Sequence, residues 1–279
     1  MAEPISYPPI QVRDLDLRPD ESTPRYWFGG DPFTTHFFNA ISTTFPDGER
    51  FFIRSVRHYS DAIADPTLVA EVAAFAGQEA RHSREHDSHV TLLIDQGYPG
   101  LRIFNRNLRT VTGWLNAHAP RASLALTTAI EHVTAVVAHQ ILEQPDTWTG
   151  RMDPSMQRLW RWHAVEETEH KAVAYDVYQL AVGSVWMRRL AMADATVGFL
   201  AEVFFRHAYL LIKDRQMRPS VLMRGFGVLF GRGGFIRVLW TPLMEFWRRD
   251  FHPWQIDNTA LLAQRKLEWG FAAASRSET

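Results

Sequence analysis

A chain of 279 residues with 46% hydrophobic content, 18 Phe and 10 Trp has ample material for a large buried core. Its formal net charge of −1 leaves no broad basic surface for nucleic acid, so no nucleic-acid partner is expected. With no cysteine, disulfides, iron–sulfur clusters and thiolate nucleophiles are excluded, and any metal has to be held by nitrogen and oxygen.

Residues 1–30 read as an irregular leader rich in Pro, Asp and Arg. The leader lacks the basic-then-apolar pattern of a signal peptide, and a cytoplasmic protein is expected. Helical periodicity dominates from there on. Pro46 suits a first helical turn, leading through Glu49, Phe52 and Val56 to Tyr59. Asp65-Pro66 opens a helix that Gly97-Tyr98-Pro99-Gly100 ends, and a shorter piece covers about 101–117. Pro120 starts a helix running to Gln144-Pro145, and Asp153-Pro154 starts another expected to reach about Val182. Two apolar segments follow, about 187–214 and 219–249, the second broken by Gly225, Gly227 and Gly231 to Gly234. Between Leu190 and Ile212, Asp194, Glu202, Arg206 and His207 interrupt the apolar run and argue against a spanning helix. The expected fold is all-α: a ferritin-like helical bundle over 31–185, with additional C-terminal helices and a tail over 186–279 packing on it.

Residues three and four apart share a helix face, so Glu79 and His82 point together, as do Glu167 and His170. With 15 Glu and 12 His in the chain, chance alone gives about 0.6 such Glu-x-x-His pairs. The setting adds more. Each pair lies in a long helix preceded by a helix that carries a single Glu, Glu49 or Glu131, which is the ligand pattern of dimetal carboxylate bundles. Glu131 sits in the apolar stretch 124–138, where an uncompensated carboxylate is costly. Glu49, in Asp47-Gly48-Glu49-Arg50, also fits an ordinary solvated helix start. His163 lies one turn before Glu167 and joins the same arc, whereas Glu166 and Glu169 point elsewhere, to solvent or to the ligands' outer partners. A rival set is His82, His86 and His89, three imidazoles on one face that suit a single zinc. Tyr175 and Asp176 are candidates for a hydrogen bond to the centre. His252 and Asp257 fit tail docking, with reach to the centre as the alternative.

Three segments carry a resemblance: Phe75-Ala-Gly-Gln-Glu-Ala-Arg-His82, Ala129-Ile-Glu-His132, and Trp162 to Asp176. They resemble the bacterial family of predicted metal-dependent hydrolases, over most of the chain and including Phe251 to Asp257. The arrangement His163-x-x-x-Glu167-x-x-His170 also looks like the last metal-binding helix of the di-iron arylamine N-oxygenases. That second resemblance implies seven ligands: Glu49, Glu79, His82, Glu131, His163, Glu167 and His170. Two metal ions are then expected, iron first, with manganese or zinc as alternatives.

The leading expectation is a di-iron oxidase or oxygenase that uses O2 and an electron donor on a small apolar or aromatic substrate. The alternatives are a dimetal hydrolase of an ester or phosphoester, and a non-catalytic iron-handling or binding protein. For the apolar, arginine-bearing C-terminal third, packing over the bundle or a homodimer interface is the first reading, and peripheral membrane contact is the second.

Overall fold

A computed structural model describes residues 7–272; the rest of the leader and tail, 1–6 and 273–279, lies outside the described residues. Twelve α-helices make up the described fold, and no strand is present among those residues beyond one isolated bridge, Phe28 to Met152. They are α1 (Pro32–Ser42), α2 (Phe45–Arg57), α3 (Pro66–Asp95), α4 (Leu101–His118), α5 (Pro120–Glu143) and α6 (Pro145–Trp148), then α7 (Pro154–His170), α8 (Val173–Ala181), α9 (Val185–Lys213), α10 (Pro219–Phe230), α11 (Phe235–Glu245) and α12 (Thr259–Glu268).

Local chemistry sets the starts of these helices. Asp31, Asp65 and Asp153 each accept a hydrogen bond from a first-turn backbone N–H, and Ser184 does the same for α9. Proline occupies the first helical positions of α1, α3, α5, α7 and α10, where its missing N–H is no loss. The expected α3, α4 and α5 appear within a residue or two of their sequence bounds. The helix expected from 154 to 182 is in fact two. The chain turns at Lys171–Ala172, where the Lys171 ammonium is drawn out of register to donate to Ile256 O and Asn258 Oδ1.

Helices α2, α3, α7 and α5 pack as a ring, each against the next, with α2 closing on α5. The remaining helices cover this ring. Helix α9 lies along α5 and α1, α11 along α5, and α10 against α1 and α11. By length and composition α9 could cross a membrane, yet it buries Arg188 and Arg206 against the bundle. The Arg188 guanidinium donates to Phe246 O and Arg248 O, and that of Arg206 to Thr43 O and Asn105 Oδ1. Gly225 lets α10 approach α1, because a Cβ there would lie 2.1 Å from Phe33 Cγ.

Candidate metal centre

The ring brings all seven expected donors together in its interior. Helix α2 supplies Glu49, α3 supplies Glu79 and His82, α5 supplies Glu131, and α7 supplies His163, Glu167 and His170. Every one of them is buried. Glu49 is therefore no solvated helix start; at 2% exposure it points into the bundle, while the neighbouring Asp47 takes the arginines Arg50 and Arg109.

The donors form two adjacent groups, Glu49 with His82 and His163, and Glu79 with Glu167 and His170; within each, the ligand atoms lie within 4.8 Å of one another. Glu131 stands outside both by that measure, with its Oε2 3.5 Å from His170 Nε2. Two carboxylates of the second group also approach imidazoles of the first. Glu167 Oε1 is 3.1 Å from His163 Nε2 and 3.5 Å from His82 Nδ1, while its Oε2 is 3.6 Å from His170 Nε2. Glu79 Oε1 lies 3.1 Å from His170 Nε2 and 3.7 Å from His82 Nδ1.

Both oxygens of Glu49, Glu79 and Glu131 are buried without a hydrogen-bond partner, as are Glu167 Oε2, His82 Nδ1 and His170 Nε2. Nine converging orphan atoms in one core are far more than a folded protein tolerates without a ligand. Protonation answers the electrostatics only in part. Burial, then the charges of Glu79 and Glu167, push the Glu49 carboxyl well above the usual range, and burial with Glu167 and Glu79 does the same to Glu131. Burial also works against ionisation of Glu167, but His170 and His163 outweigh it and hold that carboxyl well below the usual range. Burial would discharge His170 and His82, yet the carboxylates around them keep both well above an ordinary imidazole. This set of oxygen and nitrogen donors fits divalent cations, which would give these buried atoms the partner they lack.

A second layer fixes which imidazole nitrogen faces inward. Gln78 Oε1 accepts from His170 Nδ1 at 2.8 Å, leaving Nε2 for the centre. Glu166 Oε2 accepts from His82 Nε2 at 3.2 Å, which leaves Nδ1. His163 Nδ1 meets His86 Nε2 at 2.9 Å, and Ser42 Oγ bridges the Nδ1 atoms of His86 and His89 at 2.8 and 2.7 Å. His86 spends both nitrogens, on Ser42 and His163, whereas His89 gives Nδ1 to Ser42 and keeps a buried Nε2 without a partner; among the described residues His82, His86 and His89 do not gather as one ligand group. Glu166 and Glu169 are not solvated either. Both are buried, and Arg13 from the leader donates to them at 3.0 and 2.7 Å.

Tyr175 and Asp176 do not reach the centre. Tyr175 donates to Phe251 O, and Asp176 pairs with His252 at 3.1 Å, so His252 docks the tail. Asp257 caps the start of α12 by accepting from Thr259 N. Neither Arg13 nor Gln78 was singled out by sequence reasoning. Gln78 stands beside Glu79 with only its burial to mark it, and Arg13 acts across 153 residues or more.

One wall of the centre opens into an apolar pocket. Its inner end is His163 and Glu167, and its sides are Phe37, Phe45, Val137, Ile141, Leu239 and Leu243. A second apolar pocket reaches Glu49 and shares Phe45, Thr134, Ala195 and Phe199 with the first.

Fold and site together define an all-helical protein with two adjacent carboxylate–histidine groups able to hold a pair of metal ions. Over residues 11–257 the chain matches the family model described as "Predicted metal-dependent hydrolase", and it belongs to that family. No curated protein and no solved structure matches the chain.

Proposed function

We propose that the protein is a two-metal hydrolase acting on an uncharged ester of apolar character, with Glu49, Glu79, His82, Glu131, His163, Glu167 and His170 as the ligands. The observation that carries this reading is the cluster of orphan carboxylate and imidazole atoms at the inner end of an apolar pocket. The family description favours hydrolysis over the oxygenase expectation. The apolar lining, which offers no Lys or Arg, favours a substrate whose bulk is apolar. Two divalent cations held there would supply Lewis acidity and an acidic water or, as ferrous ions, electrons for O2.

The chain's own residues prepare this chemistry. Gln78, Glu166 and His86 each take the outer N–H of one imidazole and so present the inner lone pair. Glu79 and Glu167, each within 4 Å of imidazoles of both donor groups, would serve both. Phe37, Phe45 and Leu239 exclude water from the pocket side and give an acyl chain an apolar wall.

A second reading, O2-dependent oxidation, draws on one observation: apart from His163 and Glu167, the pocket's polar side chains are Thr134, Thr196 and the indole N–H groups of Trp160 and Trp240. Such a lining offers few donors to a developing oxyanion and suits a hydrocarbon substrate. Assays of p-nitrophenyl esters of increasing acyl length, run under nitrogen and in air, separate the two. Hydrolysis under nitrogen that is abolished by a chelator and restored by a divalent metal supports the first reading. Absence of any esterase activity, with O2 uptake by the Fe(II)-loaded protein, would replace it by the second.

A further inference from the structure

The C-terminal helices carry an unusual outer face. On α9, Trp186, Leu190, Val197 and Phe204 recur at intervals of four and seven, so they form one stripe along the helix. They are 64–72% exposed. Soluble helices put such a stripe inward; here the opposite side of α9 is the one packed on α5 and α1. Helix α10 also exposes large apolar side chains, Met223, Phe226 and Phe230.

Two further features show what covers this face. First, the mouth of the pocket to His163 and Glu167 opens through it. Leu200 of α9 and Trp240 of α11 both line the pocket and are about half exposed, at 49% and 59%. Second, the segment that carries most of α10 and α11 has one sign of charge. Between residues 215 and 244 there are five arginines and no Asp or Glu, in a chain whose net charge is −1. Those arginines, Arg215, Arg218, Arg224, Arg232 and Arg237, are exposed and form no ion pair among the described residues. A second copy of the chain would bring like charges together and close the mouth. An anionic lipid surface matches the arginines, accepts the aromatic side chains and leaves the pocket open to its own apolar interior.

We infer that the face formed by α9, α10 and α11 docks on an anionic bilayer, so that an apolar substrate enters the pocket from the lipid between Leu200 and Trp240. The substrate's route rests on the function proposed above; the docking does not. Pelleting with vesicles reads neither metal nor turnover, so the two can fail separately. The test is co-sedimentation of the full chain with vesicles of phosphatidylcholine alone or with about one-third phosphatidylglycerol. The protein is expected to partition at least about tenfold better onto the anionic vesicles and to be released by salt. Arg224→Glu with Arg232→Glu should lower that partition by about tenfold, as should Val197→Ser with Phe204→Ser, at unchanged circular dichroism. Protein that stays in the supernatant with anionic vesicles overturns the inference. So does a lipid-free dimer that Val197→Ser with Phe204→Ser converts to monomer, which would put a second copy on this face.

Discussion

Glu131 brings a carboxylate into the apolar side of α5 with both oxygens unpartnered, and burial with its neighbours Glu167 and Glu79 favours its neutral form. Without metal, that arrangement opposes folding at neutral pH. Glu131→Gln keeps the shape and removes the penalty, so in chelator-treated protein it should raise Tm by about 2–4 °C, while reducing the metal the protein retains. A scanning fluorimetry comparison with and without chelator checks this; a lower Tm in both conditions would count against a ligand role. The outer partners act differently. Gln78→Ala or Glu166→Ala leaves every ligand in place but frees an imidazole to turn, and should weaken metal affinity by about 10- to 100-fold in competition with a chelator. Five of the seven donors were legible from helical spacing, which puts Glu79 with His82, and His163, Glu167 and His170, on common faces, while Glu49 and Glu131 followed from the bundle pattern and the family resemblance. Their partners were not, since nothing in local spacing tells that Gln78 meets a histidine 92 positions away.

At the scale of elements, the leader is the least expected participant. Residues 7–30 form almost no regular structure, yet Arg13 runs beneath the bundle to pair with Glu166 and Glu169. Lys266 of α12 meets the same Glu169 at 2.8 Å, so leader and tail converge behind α7. Arg13→Ala would leave buried carboxylates poorly compensated, and is expected to destabilise the fold by about 3–5 kcal/mol. Urea unfolding measures it, and a change below about 1 kcal/mol would show that these carboxylates find other partners. The ends of α3, α4 and α5 could be read from Pro, Gly and capping Asp, which act locally. The turn after His170 could not, because the contacts that hold Lys171 come from residues 85 and 87 positions downstream.

Across the whole molecule, the covering helices bury histidines that the centre does not use. His207 of α9 packs edge-on against Phe33 and Phe37, its Nε2 3.1 Å from Phe33 O, and burial pushes it down to about 4. An unfolded chain protonates such a residue at about 6.5, so between that value and about 4 the unfolded state binds more protons. Stability from the neutral imidazole is therefore complete above about pH 6.5 and is lost as pH falls through the window. Between pH 7 and 5 this residue should account for about 2 kcal/mol of lost stability. His207→Gln should flatten that part of the profile in urea unfolding at the two pH values; an unchanged slope would place the proton uptake elsewhere.

The four-helix ring has meaning for function only if it holds metal. Elemental analysis of protein purified without added metal tests this most directly. About two ions per chain are expected, and Glu131→Ala with His170→Ala should lose both together. A folded chain that carries no metal and takes up none at neutral pH would contradict the reading of the centre.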